Sequence, residues 1–464
     1  MNAGLRAGAA AAVFAGVVIA LLPAPDGVAR EVLVAGGLTV ATVGVLATQA
    51  LPEHVAALAF LAIAATFRIA PPEVVFGGVH TSVIWLMLSG MVIGAAMRET
   101  GLDAALAARV LGRRAVDFRS AVLWLLLLSL ALSFVMPATM ARVVVLVPIA
   151  LAVADRLRHA EGSRGRHGLV IAVVFGSLMP SYAILPANLP NVVILGAAEA
   201  LYGARFTYVE YLGWLFPVVG VLKSIVLYAL IVHRFRDPAI GLEAAPAGPS
   251  SPIAPRRPER ARALAWILAA VVLAWMTDFV HHIAPGWIAL AAAVIVLVPA
   301  FGFLPREAFG REINLAPFFY LAGVLGIGAV AAHTGLGETL ARAFAAEVGL
   351  TPGATARNYA ALVALAMLLV QTMTSPAAAA VCASLAGELA QATGLPVKTV
   401  LMAELFGMST VVFPYVAPPL VVGLALGRVP AGEAARFTFT LAVITVVVLA
   451  PINFALWEWT GIGR

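Results

Sequence analysis

A few polar side chains interrupt long apolar runs, and they mark where chemistry could occur. Arg142 follows the break Met136-Pro137-Ala138-Thr139, and Thr374-Ser375-Pro376 breaks a second apolar run. Asn188 and Asn191 stand beside Pro186 and Pro190, while Lys223, Glu388 and Glu404 lie inside apolar segments. Free N–H groups at the start of a helix, joined by hydroxyls and a cation, suit an anion. Amide and hydroxyl oxygens suit a hard cation such as Na+. A carboxylate in an apolar segment can carry a proton. Each residue also has a plainer role open to it. Ser and Thr in a helix commonly bond back to their own backbone. Arg142 can pair with backbone carbonyls, and Glu404 with a neighbouring donor. Lys223 can partner Glu404 or another group.

The elements that must carry these residues follow from composition. Of 464 residues 62% are hydrophobic and 11% charged, and the mean hydropathy is +1.01. Soluble domains are roughly 45–50% apolar and about 25% charged, so the chain is an integral membrane protein whose partner is the lipid bilayer. Apolar runs of helical length indicate an all-α polytopic protein and not a β-barrel, whose strands are about half as long. The single cysteine, Cys382, excludes a disulfide framework and a Cys-based metal site. The net charge of +6 sits in short loops between apolar runs and orients the chain, so no nucleic acid is expected. No P-loop, HExxH, GxSxG or dinucleotide-binding fingerprint occurs, and no enzyme class is indicated.

Apolar runs fall at 7–22, 32–51, 55–70, 81–97, 168–186, 190–202, 210–232, 263–280, 285–302, 313–332 and 437–456. Paired runs fall at 119–136 with 138–154 and at 354–373 with 376–392, and a broken pair at 396–412 with 418–427. Residues 1–31 form an N-terminal helix and lead; its Arg6 and apolar run resemble a signal peptide, but no small-x-small cleavage site follows. The Pro-, Ala- and Arg-rich stretch 233–262 cannot build a core and reads as a cytoplasmic linker between 32–232 and 263–459. Most of the 29 Lys and Arg fall on one side when the N-terminus is placed inside, which predicts a multi-pass protein of the cell inner (plasma) membrane with a cytoplasmic N-terminus. His281, His282 and Asp278 form a polar cluster at a helix end, and Tyr208, Tyr211, Trp214, Trp287, Trp457 and Trp459 read as interface anchors.

The basic flanks of the first paired run, Arg113-Arg114-Arg119 and Arg156 to Arg166, return the chain to its starting side. A re-entrant hairpin or two full spans would do this; the polar, Pro-containing break favours the hairpin, because broken backbone at membrane depth is tolerated where it lines a cavity. A shift of 234 positions aligns Gly94-Ala95 with Gly328-Ala329, Thr100-Gly101-Leu102 with Thr334-Gly335-Leu336, and Leu106-Ala107 with Leu340-Ala341. The expectation is about 11 transmembrane helices plus two re-entrant hairpins, 119–154 and 354–392, in two inverted repeats. Such repeats with broken helices meeting at mid-membrane belong to secondary transporters.

These features resemble the divalent anion/sodium symporter family (DASS) of the ion transporter superfamily. Its hairpins carry a Ser-Asn-Thr tip, and each following helix unwinds at a Thr-Pro-Pro-type turn. Here the tips are Pro137-Ala138-Thr139, with Pro148-Ile149 behind it, and Thr374-Ser375-Pro376; the turns are Asn188-Leu189-Pro190-Asn191 and Ala417-Pro418-Pro419. The resemblance covers roughly residues 30 to 460. It implies a symporter for a dicarboxylate, sulfate or related small anion, held by Pro137, Ala138, Thr139, Arg142, Thr374, Ser375, Pro376, Ala417 and Pro418. It also implies Na+ as the coupling ion, with Ser133, Thr139, Asn188, Asn191 and Ser375 as ligands, no other cofactor, and a homodimer working by elevator-type alternating access. Neither tip keeps the family's asparagine, and only the first turn keeps a trailing Asn, so Glu404 stands as the candidate for proton coupling instead. The hairpins would move against a scaffold formed mainly by 7–70 and 210–302. Other readings are a cation/proton antiporter, an arsenite-type permease, the large subunit of a binding-protein-dependent carrier, or a polytopic membrane enzyme.

Overall fold

A computed structural model describes residues 3–25, 27–48, 50–103, 105, 117–136, 138–236 and 257–463. The repeat pair Leu106-Ala107, the tip residue Pro137 and most of the linker lie outside these residues. Among the described residues all regular structure is helical. Six helices there are long and apolar enough to cross a membrane: Arg30–Thr48, Ser82–Thr100, Phe118–Val135, Tyr208–Arg234, Ala316–His333 and Ala431–Thr460.

The first hairpin begins at a capping box, where Asp117 accepts from the Ser120 amide (2.7 Å) and the Ser120 hydroxyl accepts from the Asp117 amide (3.0 Å). This pair satisfies two of the helix's free N–H groups. Its leading arm, Phe118–Val135, stops where Met136 takes an extended backbone (φ −111°, ψ 104°), the conformation favoured before a proline. The returning arm runs Thr139–Arg156. The second hairpin has arms Thr355–Thr372 and Ser375–Thr393, with Met373 and Thr374 extended between them. Asn358 closes its base by donating to Thr351 O (2.8 Å) and Thr393 O (3.3 Å).

An interrupted helix follows each hairpin. Arg164–Leu178 ends at Met179-Pro180, passes through 3-10 turns at Pro180–Ala183 and Leu185–Ala187, and resumes at Leu189–Tyr202. Val397–Met408 ends at Ser409, passes through Pro414–Val416, and resumes at Pro418–Leu426. The next helix in each half carries a π segment beside a proline, Phe216–Leu222 with Pro217 and Thr445–Leu449 before Pro451. A missing proline N–H removes one rung of the helical ladder, and a π turn absorbs the mismatch.

The same packing occurs twice and reciprocally. Leu189–Tyr202 lies on the second hairpin's returning arm, and Pro418–Leu426 lies on the first's. Ser82–Thr100 packs on Pro285–Leu297, and Ala316–His333 packs on Glu53–Thr66. Small residues set these last two contacts: a Cβ on Gly286 would come 2.0 Å from Ser82 O, and one on Gly323 would come 2.5 Å from Ala57 Cβ. Both TGL turns also match. Gly101 (φ 73°) and Gly335 (φ 79°) are left-handed, and Thr100 and Thr334 each bond the carbonyl four residues back. The helix Tyr208–Arg234, expected in the scaffold, instead packs mainly on the first hairpin and its interrupted helix.

Candidate functional site

Arg142 organises the first break. It is completely buried. Its Nη2 donates to Ser177 O (2.8 Å), Thr139 Oγ1 (3.0 Å) and Ala187 O (3.1 Å), and its Nη1 donates to Met136 O. One guanidinium therefore ties the hairpin tip, the end of Arg164–Leu178 and the following 3-10 turn together. Arg offers several donors in a rigid fork, which suits this fan of acceptors better than the point charge of a lysine. Thr139 adds a bond of its own to Ala187 O (3.2 Å). Of Arg142's nitrogens, Nε is buried without a partner.

The asparagines of the first turn hold it from the other side. Asn191 Nδ2 donates to Ser181 O and Ile184 O, both at 2.8 Å, leaving Oδ1 buried and unpartnered. Asn188 accepts from the Leu189 amide (3.0 Å), and its Nδ2 is unpartnered. Ser133 bonds back to Ser129 O (2.9 Å) within its own helix.

The first turn also reaches the second tip. The Tyr182 hydroxyl faces Ser375 and Asn188, and Tyr211 fixes the turn by donating to Tyr182 O (2.7 Å). At that tip Ser375 and Thr374 are buried, Pro376 is half-buried, and the Thr374 hydroxyl shares a hydrogen bond with Tyr320 (2.9 Å). Thr139, Arg142, Asn188, Tyr182 and Ser375 thus form one connected polar seam between the tips. Ala138 is exposed at the edge of the first tip.

The second turn is more open. Ala417 is buried, but Pro418 is exposed, as are the stacked rings of Phe413 and Tyr415 (5.5 Å). Gln371 Oε1 accepts from the Val412 and Phe413 amides (3.2 and 3.3 Å), holding the turn to the second hairpin. Lys223, completely buried apart from 1% of its surface, donates to Ser409 O (2.6 Å) and Ser409 Oγ (3.1 Å). Glu404 lies one turn earlier, fully buried, with both carboxylate oxygens unpartnered. Tyr202 and Cys382 are its electrostatic neighbours.

Lys223 and Glu404 therefore do not pair. Glu388 is held by Arg342 (3.6 Å). His281 bonds Ala274 O (2.9 Å) and the Ile283 amide (3.0 Å), and Asp278 accepts from the Tyr208 amide; this cluster fastens a helix end. Four of the expected interface anchors are instead interior: Tyr208, Tyr211, Trp214 and Trp457 are buried, and Trp457 donates to Trp214 O (2.8 Å). Their rings pack on one another and on neighbouring helices, Tyr208 stacking on Trp275 and Trp214 meeting Trp457 edge-on. Tyr182, Tyr320 and Gln371 join the site without having stood out among the polar breaks. Of the three, only Tyr182 carries a signal in the sequence, its place in a Pro-flanked segment, MPSYAILPAN.

The family model described as citrate transporter, CitMHS, matches residues 43–409. The chain belongs to the CitMHS citrate transporter family. It is a multi-pass membrane transporter, consistent with the wider ion transporter superfamily that the tips and turns resemble. A Cupriavidus necator protein described as a membrane protein is 24% identical over 398 residues, 83% of this chain and 76% of its relative. The sodium-dependent dicarboxylate transporter SdcS of Staphylococcus saprophyticus is 22% identical over 440 residues, 88% of this chain and 83% of SdcS. The fold resembles that of the Alcanivorax borkumensis YdaH transporter, with a TM-score of 0.52 at 16% identity over 84% of this chain and 87% of that one. It also resembles Neisseria gonorrhoeae MtrF, with a TM-score of 0.55 at 13% identity over 98% and 94%.

Proposed function

We propose that this CitMHS member is a secondary active transporter that carries a di- or tricarboxylate, or a related small anion, between its two hairpin tips. The observation that carries the reading is the seam from Thr139 through Ala187, Asn188 and Tyr182 to Ser375. It joins the N-terminal ends of the two returning arms, Thr139–Arg156 and Ser375–Thr393, and helix N-termini favour a carboxylate. The family membership supports a carboxylate among the anions considered. The description of SdcS supports a dicarboxylate.

The hairpins and interrupted helices move together against the scaffold formed by Arg30–Thr48, Glu53–Thr66, Ser82–Thr100, Pro258–Met276, Pro285–Leu297 and Ala316–His333. The reciprocal packing supports inverted copies, and the basic loops support an inner-membrane protein with a cytoplasmic N-terminus. A homodimer through the scaffold completes the reading. Coupling runs through a proton on Glu404, a buried acid whose carboxylate oxygens have no hydrogen-bond partner among the described residues. Uptake of labelled citrate, succinate and sulfate into proteoliposomes, with Na+ and H+ gradients imposed separately, tests all of this. Carboxylate uptake driven by an inward proton gradient is expected. Uptake of none of the three would overturn the reading.

A further inference from the structure

Each interrupted helix ends inside the protein, and its last carbonyls carry the negative end of a helix dipole. Such half-helix ends are where transporters coordinate a coupling cation. Here both ends are already taken by a side chain. Ser177 O, at the end of Arg164–Leu178, accepts from Arg142 at 2.8 Å. Ser409 O, just past Val397–Met408, accepts from Lys223 at 2.6 Å.

The two cations come from unrelated places, yet reach equivalent points. Arg142 descends from the hairpin's returning arm. Lys223 sits directly after the π segment Phe216–Leu222. One extra residue in a π turn rotates the rest of the helix by about 100° relative to an unbroken α-helix, and this rotation turns Lys223 toward Ser409.

The oxygens left over do not make a sodium site. A hard cation takes about six oxygen ligands. At the first turn Met136 O, Ser177 O, Ala187 O and Thr139 Oγ1 all serve Arg142, Ser133 Oγ donates to Ser129 O within its own helix, and Asn191 Oδ1 and Ser177 Oγ are buried without a partner. At the second turn Ser409 gives both its oxygens to Lys223 and Gln371 Oε1 serves two amides, which leaves Thr410 Oγ1 buried without a partner. A second unit charge about 4 Å from a buried one, at an effective dielectric of about 20, would bind on the order of a thousandfold more weakly.

We infer that Arg142 and Lys223 are resident cations of the two broken turns, standing where a coupling Na+ would bind, so that this transporter works without sodium. The inference deepens the proposed carrier and rests on it, but its test needs no substrate. The full chain in lipid nanodiscs is unfolded thermally across a series of NaCl concentrations, with choline chloride at equal ionic strength as control. The wild-type midpoint should be the same in both salts. Lys223→Gln, which removes the positive charge beside the Ser409 oxygens, should gain a saturable, Na+-specific rise, its affinity on the order of a thousandfold above that of the wild type. A saturable Na+-specific rise in the wild type overturns the inference, and so does a folded Lys223→Gln protein that ignores Na+. If Lys223→Gln does not fold, the wild-type series decides alone. Failure to find a transported anion would leave either result standing.

Discussion

The hydroxyls of Tyr320 and Thr374 lie 2.9 Å apart and share a hydrogen bond, joining the helix Ala316–His333 to the second hairpin tip. If the tip moves past the scaffold, this bond breaks and re-forms in every cycle. A neutral hydrogen bond contributes about 1 kcal/mol, so Tyr320→Phe should shift the balance of states by about fivefold away from this one. The expected readout is a change of that size in KM or in turnover, measured in proteoliposomes. Thr374→Val should reproduce it, and the double variant should add nothing further. Additive effects would mean that the two hydroxyls act separately.

Arg142 draws four acceptors from three segments, and its loss strands them in the interior. Removing one side of such a buried charged cluster costs about 3–5 kcal/mol. Arg142→Ala should therefore lose uptake and unfold at a clearly lower temperature. Arg142→Lys keeps the charge but not the fork, and should fall between. A stable Arg142→Ala protein with normal uptake would remove the guanidinium from both roles.

The breaks are legible in the sequence because Pro and polar residues inside apolar runs have few other uses. Their partners are not. By residue type Arg142 suits substrate and backbone equally, and its distances show how fully the backbone engages it. The acceptors are the carbonyls of Met136, Ser177 and Ala187, which no side-chain type announces. Lys223 is visible as a buried charge, but its aim depends on a π turn that only the local ladder reveals. The likeness of the two halves is faint in residue identity and clearer in their helix contacts, because small apolar residues preserve such contacts while exchanging freely. Tryptophan and tyrosine mislead at Tyr208, Trp214 and Trp457, since an interfacial belt and an aromatic core use the same side chains.

Glu404 is buried on Val397–Met408 with both oxygens unpartnered. Glu404→Gln keeps the shape and removes the ability to take a proton. The substituted chain should unfold no earlier than the wild type, because an unpaired buried carboxylate gives little to the folded state. Uptake driven by a proton gradient should fall toward the level seen without a gradient, and its dependence on pH should flatten. An unchanged pH profile with full uptake would place the coupling proton elsewhere.

Ala138 reports on the first tip directly. It is exposed, it borders buried Thr139, and its backbone is extended between the two arms of the hairpin. In a Cys382→Ala background, chosen because Cys382 is the single native thiol and is buried, a cysteine placed at 138 becomes the sole labelling site. A tip that lines an anion path should react with a small charged thiol reagent and be shielded by citrate or another transported anion, several-fold in rate. A tip that is an ordinary loop in water would react at the rate of a free thiol, whatever anion is present. Shielding without exposure to both sides would fit a fixed cavity. Accessibility that alternates between sides as the proton gradient is reversed is the result expected of a moving hairpin.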